Sequence, residues 1–248
     1  MRSDTYILEV WGDYACFTDP ITKVERMSYP CPTPSAARGI FDAIYLERET
    51  FGWRIEQIDL IEPGTRIALM RNEVKGVLSV PATKSAMARA DGCIAPLYAD
   101  GTSSFVRGGD TSGRTQRQMI ALRRVRYRLH GHMHVWPDTH PDKLGKICAE
   151  FTRRASRGMY FTMPYLGMRE FPADFRLLDG SDPLAPTAPL TCDFGQMIYD
   201  VFDLAHPAVP TDVVAPSVSV FAARAVNGVV RVPAYESAQV MKGLAYIS

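Results

Sequence analysis

One segment limits the fold more than any other. From Arg123 to Val135 the chain reads RRVRYRLHGHMHV. Val125, Tyr127, Leu129, Gly131, Met133 and Val135 alternate with Arg124, Arg126, Arg128, His130, His132 and His134. A period of two belongs to a β-strand, whose successive side chains point to opposite faces. One face of its sheet is therefore expected to be buried, and the other to be a basic, imidazole-lined surface. Arg123 falls on the side opposite the other three arginines.

The rest of the chain supplies partners for that strand. Tyr6–Trp11 (YILEVW) reads as a strand ended by Gly12-Asp13. Thr33-Pro34-Ser35 is a helix start, a hydroxyl N-cap followed by proline in the first turn. Ala37, Ile40, Phe41 and Ile44 then recur at helical spacing through about Glu47, with Tyr45 near the helix end. Arg54–Glu62 reads as a second strand, closed by Pro63-Gly64. Residues 64–113 are mixed and read as an insertion. Thr139-His140-Pro141-Asp142 is another helix start, and Leu144, Ile147, Cys148, Phe151 and Ala155 form its apolar stripe, with Gly158 as the stop. Residues 159–178 are expected to hold a further strand or two, broken by Pro164 and Gly167.

The order strand, helix, strand, strand, helix, strand is that of an α+β, ferredoxin-like (RRM-like) βαββαβ domain with an antiparallel sheet and two helices. It is placed at residues 1–178, with the insertion at about 64–113. Gly180–Pro189 reads as a linker. Beyond it, residues 190–248 are expected to form a small β-rich region, in which Asn227-Gly228 between Ser217–Val226 and Val229–Val232 marks a type I′ hairpin.

Charge narrows the function. The net charge is +1, yet residues 107–128 hold seven arginines against one acid, Asp110. A second basic group is Lys143, Lys146, Arg153, Arg154, Arg157 and Arg169. Clusters within a near-neutral total point to a local polyanion site, the bland alternative being a solvated face. The open face of such a sheet is a common RNA platform. No 18-residue apolar run is present and the N-terminus lacks a signal-peptide pattern, so no membrane association and a cytoplasmic location are expected. Five scattered cysteines without a CxxC pair read as reduced thiols. No GxxxxGK[ST], GxGxxG or GxSxG pattern follows a strand, and no cofactor is expected. His130, His132 and His134 have zinc-compatible spacing, but no third ligand type or carboxylate base is marked, and the reading is solvated or RNA-facing imidazoles with no metal.

Several segments resemble a single family: VWGDYACFTDPITKVERMSY (10–29), TPSAARGIFDAIY (33–45), RNEV (71–74), TQRQMIALRRVRY (115–127), FTRRASRG (151–158), PYLGMREFPADF (164–175) and GQMIYDV (195–201). They are similar to the fifth Cas protein family, the d-type variant of CRISPR subtype I-C (Dvulg), in the RAMP superfamily. The resemblance implies an endoribonuclease that cuts the CRISPR repeat hairpin in precursor crRNA without a metal. It also implies that the protein stays on the 5′ handle of the crRNA, beside the backbone and large subunits of a Cascade complex. A subunit that caps the handle without cutting is the alternative.

The family uses a Tyr at the end of the first helix and a Lys-His pair at the start of the second. Tyr45 matches the first and Lys146 the second. The family's His falls on Ile147, within the apolar stripe, and His140 is the imidazole nearby. The catalytic candidates are thus Tyr45, Lys146 and His140. The RNA-binding candidates are Arg38, Arg124, Arg126, Arg128, His132, Arg153 and Arg154.

Overall fold

The computed structural model describes residues 1–22, 24–74, 80–89, 114–205 and 217–245. It is a mixed α and β structure built mainly on antiparallel strands: β1 (Tyr6–Ala15), β2 (Arg26–Met27), β3 (Phe51–Glu62), β4 (Thr65–Val74), β5 (Arg114–Val135), β6 (Asp174–Leu178), β7 (Cys192–Asp200), β8 (Ser217–Val226), β9 (Val229–Arg231) and β10 (Val240–Ala245), with helices α1 (Pro34–Ile44), α2 (Val80–Met87) and α3 (Lys143–Ala155). The chain divides into two compact units, one of residues 1–67 and 120–248, the other of residues 68–119. The second unit contains α2 and the far halves of β4 and β5, two strands that pair with each other. The expected insertion therefore carries regular structure where it is described, and β5 starts well before Arg123. The glycines at 108, 109 and 113 and Cys93 lie outside the described residues.

In the first unit the central strands run in the order β3-β5-β1-β6, every neighbouring pair antiparallel. Tyr6, Leu8 and Val10 of β1 lie on the same face as Tyr127, Leu129 and Gly131 of β5, in direct register. An aromatic cluster holds α1 and α3 against that face. The Phe41 and Trp53 rings lie 4.6 Å apart, Trp53 and Phe151 4.6 Å, and Tyr6 and Phe151 4.7 Å. Each such pair contributes about 0.5–1.5 kcal/mol beyond its buried area. Gly131 has a clear role here, since a Cβ would stand 3.1 Å from the Phe41 ring. The strand gives up a side chain so that α1 can approach.

The first helix begins as expected: the Thr33 hydroxyl accepts from the Ala36 amide at 3.1 Å, with Pro34 in the first turn. α3 begins later than expected. The Thr139 hydroxyl donates to the Thr50 carbonyl at 3.1 Å, and residues 137–142 form turns ahead of Lys143, so Thr139 lies too far from the helix to cap it. Gly158 stops the helix at φ +64°. Of the strand or two expected within residues 159–178, one forms, β6, at the end of the range. Pro164, Gly167 at φ +84° and Pro172 prevent a continuous ladder.

Residues 190–248 do not stand apart from the central sheet. β9 pairs with β3, and β8 links β9, β10 and β7, so these strands extend it. The Asn227-Gly228 turn has positive φ at both residues, 49° and 76°, as a type I′ hairpin requires.

Candidate active site

Tyr45 caps the C-terminal end of α1 in an extended conformation (φ −160°, ψ 127°). The indole of Trp53, at the bottom of the core, donates to the Tyr45 carbonyl at 2.9 Å and fixes this backbone. Extended geometry puts residues i and i+2 on one side. The Tyr45 hydroxyl accordingly donates to the Glu47 carboxylate, which also accepts from the Thr50 hydroxyl at 3.1 Å. The Arg154 guanidinium of α3 lies 5.0 Å from the centre of the Tyr45 ring, a cation–π distance. Arg154 is itself held by Glu150 at 2.6 Å and reaches the Ile44 carbonyl at 3.5 Å.

Lys146 is exposed and has no side-chain partner among the described residues. It lies four residues before Glu150, so it sits on the same helix face, about 6 Å further toward the N-terminus. His140 is exposed on the turn before α3, with Nδ1 3.4 Å from Asp142. That turn is pinned to Thr50 through the Trp136 amide and the Thr139 hydroxyl, at 3.0 and 3.1 Å. Thr50 is the residue that binds Glu47. The elements carrying Tyr45, Lys146 and His140 therefore meet at one corner of the first unit.

Protonation states at this corner are well separated. Burial, reinforced by the hydrogen bond to Glu47, pushes the Tyr45 phenol well above its ordinary range. It remains protonated at neutral pH and acts as a hydrogen-bond donor. Hydrogen bonds from Arg153 and Arg154 pull Glu150 down to about 2, so it stays charged. Ile147, on which the His of the resembled family falls, is buried in the apolar stripe of α3, where the sequence placed it.

The opposite face of the sheet differs from the expected open basic surface. Arg128 is only 5% exposed and lies 3.2 Å from Asp59, and His130 contacts the same carboxylate at 3.1 Å. Arg126 is paired with Glu9, a carboxylate only 2% exposed, and Arg176 approaches it at 3.6 Å. The cause is cross-strand register. β1 places Glu9 opposite Arg128, and β3 places Asp59 opposite the same residue. The acids that neutralise β5 thus come from strands far away in sequence. This face also carries a cleft of about 820 Å³, lined by Trp11, Tyr14 and Phe171, by Arg124, Arg126 and Arg176, and by the acids Glu9, Asp13, Glu62, Glu170 and Asp174.

Arg38 is likewise internal. It donates to Asp200 through Nε and Nη2, at 2.7 and 3.2 Å, and to Asp42 through Nη1, tying α1 to the end of β7. Arg153 is exposed and paired with Glu150 at 2.8 Å. Among the described residues no three His, Cys, Asp or Glu side chains converge as a metal ligand set.

His132 lies 3.2 Å from Glu56, and burial pushes its imidazole down to about 4 despite that carboxylate. The folded state therefore favours the neutral ring, whereas the unfolded chain takes up a proton near pH 6.5. Below that pH the unfolded state binds the extra proton, so stability falls as pH drops from about 6.5 toward 4. His132→Gln is expected to remove about 1–3 kcal/mol of this acid-linked loss. Urea unfolding at pH 7 and pH 4.5 measures it, and equal losses in both proteins would take His132 out of the titration.

Glu47 and Glu150 were missed by sequence reasoning. The Glu47 contact was available as the i, i+2 spacing beyond a helix end, and the Glu150–Arg154 pair as an i, i+4 spacing.

Comparison with known proteins shows which family the chain belongs to. The family described as CRISPR-associated protein (Cas_Cas5), Cas5d, matches residues 5–232. A CRISPR pre-crRNA endoribonuclease Cas5d from Thermus thermophilus is 36% identical over 203 residues, 82% of this chain and 76% of its own. A protein of the same name from Mannheimia succiniciproducens is 36% identical over 241 residues, 95% of this chain and 97% of its own. The crystal structure of a CRISPR-associated protein shares the fold at a TM-score of 0.61 and 20% identity, covering 97% of this chain and 98% of that one. A functionally uncharacterized protein from Streptococcus mutans does so at 0.59 and 19%, with the same coverage. The family match spans nearly the whole chain and takes in every candidate at this corner, and the chain belongs to the Cas5d family of CRISPR-associated proteins.

Proposed function

We propose that this protein binds the CRISPR repeat hairpin and cuts precursor crRNA by attack of the ribose 2′-hydroxyl on the adjacent phosphate. The reading rests on one observation above all: the elements carrying Tyr45, Lys146 and His140 meet at one corner. It is supported by two relatives whose names state this activity. The strand order β3-β5-β1-β6 with two helices on one face supports the ferredoxin-like reading of residues 1–178. Residues 190–248 then brace α1 through Asp200.

RNA carries its own nucleophile, so the protein has to align the 2′-oxygen with the phosphorus while its proton passes to solvent water, stabilise the charge on the phosphorane and protonate the 5′-oxygen as its bond to phosphorus breaks. Alignment alone supplies about 7–11 kcal/mol in favourable cases. Tyr45, protonated and held by Glu47, donates a hydrogen bond that positions the ribose or phosphate. Lys146, exposed and without a side-chain partner among the described residues, neutralises charge developing on the phosphorane. His140, exposed on the turn before α3, is the candidate for protonating the 5′-oxygen leaving group. The products are a 2′,3′-cyclic phosphate and a 5′-hydroxyl. Arg124 and Arg126, in the cleft, and Arg153 and Arg154, on α3, supply phosphate contacts, so affinity falls steeply with salt. The cut crRNA stays bound by its 5′ handle beside the backbone and large subunits of a subtype I-C Cascade complex in the cytoplasm.

The test is incubation of the purified protein with its cognate repeat hairpin in EDTA, followed by end-group analysis. Shortened RNA ending in a cyclic phosphate is the expected result. A second reading, a subunit that caps the 5′ handle without cutting, is favoured by the buried Ile147. Tight binding without any cleavage would select it.

A further inference from the structure

Residues 159–165 present an unusual surface. Met159, Tyr160, Phe161, Met163 and Tyr165 are all exposed, Phe161 by 83% and Tyr160 by 47%. Such rings are normally buried, and a contiguous exposed set marks an interaction site. The backbone beneath them is anchored. The amides of Phe161 and Thr162 both bond to the Ala43 carbonyl, at 2.8 and 3.1 Å, and the Met159 amide bonds to the Arg154 carbonyl at 2.9 Å. Rings carried on a fixed backbone lose little freedom when a ligand stacks on them.

Two further features indicate the ligand. Residues 151–169 contain four arginines, at 153, 154, 157 and 169, and no aspartate or glutamate. Arg157 is exposed and has no side-chain partner among the described residues. Arg153 and Arg154 are paired with Glu150 whereas Arg157 is not, so the rings stand beside an open cation, which suits a nucleic acid with unpaired bases. The patch also adjoins the candidate active site: Ala43, which anchors the loop, lies two residues before Tyr45, and Arg154 belongs to both.

We infer that Tyr160 and Phe161 form a stacking platform for an unpaired base of the RNA, next to the scissile linkage, with Arg157 on the neighbouring phosphate. The inference rests on the RNA-processing reading above and extends it to the single-stranded flank of the hairpin. Base–aromatic stacking tolerates any base, so the platform selects single-stranded character and not sequence.

The experiment compares the wild type with Tyr160→Ala/Phe161→Ala and with Phe161→Trp. The probes are two RNAs, the repeat hairpin with its single-stranded extensions and the same hairpin trimmed to its stem and loop. The double variant is expected to bind the extended RNA about tenfold more weakly and the trimmed one within twofold of wild type, with an unchanged melting temperature. Phe161→Trp is expected to keep wild-type affinity for both. Wild-type affinity of the double variant for the extended RNA overturns the platform alone, leaving RNA binding intact and the patch as a surface for a protein. Equal weakening on both RNAs also overturns it. A wild-type protein that binds neither RNA removes the platform together with the reading on which it rests.

Discussion

Lys146→Ala is expected to slow single-turnover cleavage of the repeat hairpin by about a hundredfold while leaving the fold intact. The side chain is exposed and unpaired among the described residues, so its loss creates no cavity and orphans no partner. What disappears is a positive charge near the phosphorane, and removal of one such electrostatic contact costs about 10²–10³ in rate. Tyr45→Phe is expected to slow the reaction as well, by a smaller factor. Its phenol stays protonated because burial and Glu47 oppose ionisation. The variant should therefore keep the shape of the wild-type pH–rate profile between about pH 5 and 9, since no ionisation in that window belongs to Tyr45. Single-turnover rates across that range provide the check. Undiminished cleavage by Lys146→Ala would remove it from the chemistry, and loss of a pH limb in Tyr45→Phe would turn the phenol from a positioning group into a base.

Arg38→Met is expected to have the largest effect on stability, about 3–5 kcal/mol. For a chain of this length that corresponds to a fall in Tm of roughly 6–20 °C. Asp200 is 1% exposed, and Arg38 is its cation. Burial opposes the charge on Arg38, yet Asp200 and Asp42 outweigh it and hold the guanidinium above its ordinary range. Taking away the arginine leaves two carboxylates facing each other in a poorly solvated site, with Asp42 already pushed up by burial. Pairing Arg38→Met with Asp200→Asn should recover part of the loss, because the charge left unpaired is then gone. Thermal melts of the single and double variants measure this. A loss below about 1 kcal/mol in Arg38→Met would show that the triad contributes little.

Arg38 also illustrates where sequence reading stops. Within TPSAARGIFDAIY it looks like an exposed cation on a polar helix face. Its partner Asp200 is 162 positions away, and only the docking of β7 on α1 brings the two together. The arginines of β5 show the same limit. Their alternation was legible, and the apolar half of the pattern does face the aromatic core. The acids opposite them come from β1 and β3, and nothing in β5 announces Glu9 or Asp59. A charge pattern along one strand predicts a surface only if the neighbouring strands leave it unpaired. By contrast, Thr33-Pro34 and Asn227-Gly228 work through backbone geometry within a few residues, and both appear where expected.

The amino-acid order alone determined what local physics controls: the strand period of β5, the helix stripes of α1 and α3, the helix start at Thr33, the hairpin turn, and Tyr45 at a helix end. Tertiary structure decided which charges remain free. It bonded Tyr45 to Glu47, set Arg154 over the ring, buried Arg38 and Arg128 against carboxylates from distant strands, and left Lys146 and the rings of Tyr160 and Phe161 facing water. The reason is range. Backbone preferences act over one to four residues, whereas an ion pair acts through space, between groups whose separation along the chain is set by the sheet order.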